Sequence, residues 1–219
     1  MTLTGAANTF GQFIVGVGEK SLFLSLILTM ITCIVLGMGI PTIPNYIITS
    51  SIAGPALLAL GVPLIVSHMF VFYFGILADL TPPVALACFA AAPIARESGL
   101  KISLNAVKIA AAGFVIPYMA VYAPSLMLQP GGPLSQSIGF YPAVAYIVTK
   151  AVLSIGLWGA AVVGWLGRPL ALWERGLAVA AAISLIAALP FSDEVGFALS
   201  AGFIALLFLT RKKKTPEAA

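Results

Sequence analysis

Apolar runs of helix length, closed by glycine and proline more often than by charge, constrain this chain more than any other feature. They cover residues 22–36, 43–60, 62–78, 84–95, 105–128, 141–165, 177–189 and 195–209. A helix needs about 20 apolar residues to cross a hydrocarbon core roughly 30 Å thick, whereas barrel strands are alternating segments of about ten. The runs are of the first kind. With 61% of residues hydrophobic and 8% charged, no soluble domain of 219 residues fits the composition. The expected fold class is an all-α integral membrane protein, a helical bundle.

Charge then orients the bundle. Cytoplasmic loops accumulate Lys and Arg, so Arg211, Lys212, Lys213 and Lys214 place the C-terminus in the cytoplasm. Counting back through the spans, the acidic PFSDE turn (190–194) falls outside and the 167–176 loop with Arg168 and Arg175 inside. The uncharged 129–140 loop falls outside and the 96–103 loop with Arg96 and Lys101 inside. Every connector agrees. Glu19 and Lys20 cancel, leaving the N-terminal orientation unassigned. The net charge of +4 is accounted for by these segment ends, so nucleic acid is not an expected partner. The first residues carry no signal-peptide pattern. Cys33 and Cys88 lie inside apolar runs, where a thiol behaves as a small hydrophobe, and two are too few for a metal framework.

Two places interrupt this pattern. GMGIPT (37–42) breaks the first run, and ADLTPPVAL (78–86) breaks a stretch over 62–95 that is too long for one straight span and too short for two. Pro82 and Pro83 remove two backbone donors there. Unpaired backbone is tolerated in a bilayer only when buried in protein or lining a wet cavity. Residues 43–60 and 62–78 would form arms of about 27 and 26 Å, so the two breaks are expected at equal depth. On this reading residues 20–61 are a re-entrant helical hairpin tipped at GMGIPT, and 62–95 is a discontinuous helix. A pair of full spans fits the first lengths as well.

The motifs GMG-x-PT, HMFVFY and TPPVALA, in this order and spacing, resemble the large membrane subunit of TRAP transporters, the fused permease type that works with TAXI-class periplasmic binding proteins. The resemblance is close over residues 20–128 and looser to the C-terminus. It implies a second-repeat transport region over 1–128, with hairpin 20–61, broken helix 62–95 and a span over 105–128, and then C-terminal spans over 129–219 with the basic tail. The first inverted repeat and the small-subunit helices are expected as partners, in addition to the binding protein and the lipid bilayer. The implied function is sodium-driven import of small organic acids across a bacterial-type inner membrane by an elevator-type motion, with sodium as coupling ion and no other cofactor. Family members usually carry small residues after the PT; here Ile43, Pro44 and Asn45 follow.

The residues point to the same kind of site. Broken half-helices offer N–H groups to a carboxylate and carbonyls to a cation without a buried full charge. Gly37, Met38, Gly39, Ile40, Pro41 and Thr42 at one break, and Thr81, Pro82, Pro83 and Val84 at the other, are the candidate substrate and ion ligands. Gly39, Thr42 and Thr81 would form the sodium site, through a turned backbone and neutral hydroxyl oxygens. The competing reading of each proline is a packing kink. Asp79, at a cost of roughly 3 kcal/mol within a span, is a candidate for neutralising a cation or carrying a coupling proton. Equally, it could cap the restarting half-helix. Lys150, deep in its own span, is expected to reach outward along it rather than pair with Asp79. His68 is expected to bond a neighbouring helix, and Trp158, Trp165 and Trp173 to sit in an interfacial belt. An intramembrane hydrolase built on Ser67, His68 and Asp79 is disfavoured, because Ser67 and His68 point about 100° apart on a helix and no nucleophile elbow accompanies them. The other alternative is a truncated or structural membrane subunit without independent transport, completing another permease chain.

Overall fold

The computed structural model describes residues 5–19, 21–111, 113–130, 132–186 and 191–212, so Lys20, Lys213 and Lys214 lie outside the described residues. Among them the secondary structure is helical apart from one isolated bridge between Trp165 and Pro169. The chain forms two compact units, Met1–Phe140 and Tyr141–Ala219.

The first unit holds α1 (Ala6–Gly18), α2 (Leu22–Gly37), α3 (Thr42–Ala59), α4 (Leu64–Leu77), α5 (Leu86–Ala95), α6 (Gly99–Ala110), α7 (Ile116–Tyr122), a 3-10 turn (Pro124–Met127) and α8 (Pro133–Ile138). Local chemistry sets several of these ends. Ser21 caps α2 by accepting from the Leu24 N–H. After α3, Gly61 sits at φ +82° and the Gly61 and Val62 N–H groups bond back to the Leu58 and Leu57 carbonyls, a Schellman stop that only a left-handed residue closes easily. α2 and α3 pack as a hairpin, and α4 packs against both. Phe70 and Phe74 of α4 meet Tyr118 of α7 at ring-centroid distances of 5.3 and 5.8 Å in edge-to-face geometry. Because lipid competes for apolar surface, such contacts hold by packing and ring geometry, about 0.5–1.5 kcal/mol per aromatic pair.

The stretch over 105–128, expected as one span, is a different structure. α6 ends at Ala110, α7 begins at Ile116, and a 3-10 turn finishes at Met127. Tyr73 of α4 crowds the gap, since its hydroxyl lies 2.7 Å from where a Cβ on Gly113 would stand. The unit boundary likewise falls at 140 rather than 128, because the Gln129 N–H bonds back to the Pro124 carbonyl and Gly132 packs on the Pro124 ring.

The second unit holds α9 (Phe140–Val163) except its first residue, α10 (Leu172–Ile186) and α11 (Ser192–Lys212). Among the described helices α9 is the one both long and apolar enough to cross a bilayer unaided; α2, α4 and α5 are shorter apolar helices. α10 packs against α11, and Ala160 and Ala161 of α9 share one buried cluster with Ala178, Ala181 and Ala182 of α10, small residues of the kind that let membrane helices approach. In the turn between them, Arg175 donates to the Ala161 and Val162 carbonyls at 2.6 and 3.0 Å, and Arg168 grips Glu174 with both terminal nitrogens. The Arg168 hydrogen bond holds the nearly buried Glu174 carboxyl below the usual carboxylate range. Trp165 and Trp173 are exposed at this turn, whereas Trp158 packs inward. Lys150 does not reach outward alone: it is buried and paired with Asp193 in the first turn of α11, which also accepts from the Tyr146 hydroxyl at 2.8 Å.

Candidate functional site

The GMGIPT segment is a tight reversal between α2 and α3. Met38 takes φ −61° and ψ 118°, Gly39 takes φ +79°, and the Ile40 N–H returns to the Gly37 carbonyl at 3.4 Å. These are the features of a type II turn, whose third residue needs the positive φ that glycine adopts without penalty. Pro41 then caps α3, with Thr42 as its first residue, and both are exposed. The tip therefore joins the carbonyl end of one helix to the N–H end of the next.

The second break begins before α4 is formally over. The Ala78, Asp79, Leu80 and Thr81 N–H groups bond three residues back, at 3.0–3.3 Å, so the helix tightens into 3-10 turns as far as Thr81. Thr81 Oγ1 donates to the Leu77 carbonyl at 2.7 Å. The Pro82–Pro83 peptide is cis, Ala85 takes φ +41°, and α5 starts at Leu86. The Ala87 N–H bonds to the Asp79 carbonyl at 3.2 Å and closes the segment into a loop. From α6, Ser103 donates to the Leu80 carbonyl at 2.8 Å, satisfying an acceptor that the break exposes. The Asp79 carboxyl is half-buried and bonds none of the described residues, so it does not cap α5.

The two breaks meet. A side chain on Gly39 would touch Val84 Cγ1 at 3.7 Å, and one on Gly37 would stand 2.8 Å from the Gly75 carbonyl and 2.9 Å from Ala78 Cβ. Between them lies Asn45, 2% exposed, whose Nδ2 donates to the Gly75 carbonyl at 2.8 Å. A family model for the tripartite ATP-independent periplasmic transporter, DctM component, matches residues 1–133. The chain belongs to that family. No curated protein and no solved structure matches it. As a DctM-family chain it is a multi-pass inner-membrane permease component of a TRAP transporter, a helical membrane bundle that works with a periplasmic binding protein and membrane partner subunits.

Within this DctM-family chain the structure brings Gly37, Gly39 and Val84 to one junction. Met38 and Ile40 flank the tip, Pro82 and Pro83 shape the facing loop, and no hydrogen bond links Thr42 to Thr81. His68 bonds the Tyr46 hydroxyl of α3 through Nδ1 at 2.8 Å, and Ser67 donates to the Val62 carbonyl, so neither is arranged as a nucleophile or base with Asp79. Asn45 and Ser103 escaped the sequence reading as site residues.

Proposed function

We propose that this chain is the ion- and substrate-binding part of a sodium-driven TRAP permease of the fused type, importing small carboxylates delivered by a TAXI-type periplasmic binding protein. It works with a first-repeat segment and small-subunit helices, in the same or another polypeptide, and its C-terminus faces the cytoplasm. The observation that carries the reading is the meeting of two helix breaks, Gly39 of the tip against Val84 of the discontinuous helix. At such a junction the carbonyl ends of α2 and α4 present partial negative charge and the N-termini of α3 and α5 partial positive charge. Gly39, Thr42 and Thr81 supply neutral oxygens for sodium. Gly37, Met38, Ile40, Pro41, Pro82, Pro83 and Val84 shape the carboxylate site, with Asp79 as the nearby negative charge.

The test is uptake of a panel of radiolabelled mono- and dicarboxylates by vesicles holding the chain, its first-repeat partner and a binding protein, in sodium or choline buffer. Thr81→Ala and Gly39→Leu should each lower uptake and raise the sodium concentration needed for half-maximal rate. Unchanged uptake and sodium dependence in both variants would refute the site.

A further inference from the structure

We propose that Asn45 is the positioning residue that clamps the hairpin to the discontinuous helix and marks where α4 gives way to the break. In a continuing α-helix the Gly75 carbonyl would accept the N–H of Asp79, four residues on. Here the Asp79 N–H turns instead to the Ile76 carbonyl at 3.0 Å, and the Asn45 carboxamide donates to Gly75 at 2.8 Å from thirty residues away. A side chain from α3 thus shares, with the Ala78 N–H at 3.3 Å, the acceptor that would have carried α4 onward. From that carbonyl the backbone runs as 3-10 turns into Thr81.

The surroundings are cut to admit this amide. A Cβ on Gly37 would lie 2.7 Å from Asn45 Nδ2, and one on Gly75 would lie 3.0 Å from it. The end of α2, the first turns of α3 and the end of α4 therefore converge on one side chain. Asn45 Oδ1 is buried with no donor among the described residues. A buried acceptor without a donor costs stability, so a small apolar residue would serve packing better; what the position gains from Asn is the N–H. That N–H holds the Gly39 tip in register with Val84. Its consequence for transport rests on the ion-coupling reading above.

Hydrogen–deuterium exchange on the full chain in nanodiscs tests the clamp, each variant being compared with wild type at equal pH. Asn45→Ala should speed exchange about threefold or more in peptides covering 38–45 and 80–87, while α9–α11 peptides stay unchanged. Asn45→Asp should follow wild type near about pH 5.5, where a protonated carboxyl can donate to Gly75, and move toward Asn45→Ala as the carboxyl ionises. The clamp is refuted if Asn45→Ala exchanges as wild type does. It is equally refuted if the exchange of Asn45→Asp does not approach that of wild type as the pH is lowered, a comparison that needs no alanine variant. Sodium chloride in place of choline chloride should slow exchange in the same peptides of wild type, with the half-saturating sodium raised about fivefold in Asn45→Ala. A wild type indifferent to sodium would refute the coupling reading and leave the clamp to be judged on the exchange differences alone.

Discussion

Gly37→Ala isolates the contact that brings the hairpin and the discontinuous helix together. The added Cβ would stand 2.7 Å from Asn45 Nδ2, 2.8 Å from the Gly75 carbonyl oxygen and 2.9 Å from Ala78 Cβ. The last two neighbours are a backbone atom and a β-carbon, which cannot rotate away, so a helix must move. Overpacking of this kind costs about 1–3 kcal/mol. Alanine returns about 0.5–1 kcal/mol through helix propensity, because Gly37 ends α2 without a positive φ. The net expectation is a loss of up to about 2.5 kcal/mol, centred on about 1.3, which is near tenfold in the folding constant. Gly39→Ala, two residues on, should cost about as much for a different reason: its nearest neighbour is at an unstrained 3.7 Å, but φ +79° penalises any Cβ by about 1–2 kcal/mol. A double-mutant cycle separates the two causes. Ala78→Gly should relieve Gly37→Ala and leave Gly39→Ala untouched. Helix content followed through reversible SDS-titrated unfolding in mixed micelles gives the free energies. A neutral or stabilising Gly37→Ala, uncoupled from Ala78, would refute the three-helix contact.

Other perturbations reach the supporting structure. Ser103→Ala strips the buried donor from the Leu80 carbonyl and should cost about 1–2 kcal/mol in the same titration. Lys150→Met leaves Asp193 without its buried cation and should cost about 3 kcal/mol, most of which is regained when Asp193→Asn is added; additive losses would show that the pair does not form. For Glu174 the folded carboxyl titrates below its ordinary value of 4.5, so its contribution is present above that value and lost as pH falls through the lower folded one. Thermal melts across the acid range should therefore show an acid-side loss in wild type that shrinks in Arg168→Met.

The helical membrane fold was legible because it depends on properties that run along the chain. Apolar run length, glycine at a turn requiring positive φ, and proline lacking an N–H are local facts. They located the tip at 37–42 and the loop at 78–86, two breaks that the structure brings together at Gly39 and Val84. His68 was likewise expected to bond a neighbouring helix, and it bonds Tyr46. What escaped was every partner chosen across the chain. Asn45 meets Gly75, Ser103 meets Leu80 and Lys150 meets Asp193 at separations of 30, 23 and 43 residues. The end of α6 at Ala110 and the fresh start of α7 at Ile116 were missed for a related reason: Gly113 and Phe114 read as apolar filling, and the gap became visible only with Tyr73 and Phe74 of α4 against it.

Residue order alone determined that this chain belongs in a bilayer and where its backbone must leave the helix, since each is a property of a short stretch facing the same solvent, lipid. Only the tertiary structure decided which freed carbonyl finds which donor. The chain supplies more acceptors at its breaks than local donors can satisfy, and the match is made by whichever side chain the packing of α2, α3, α4 and α6 delivers to that depth.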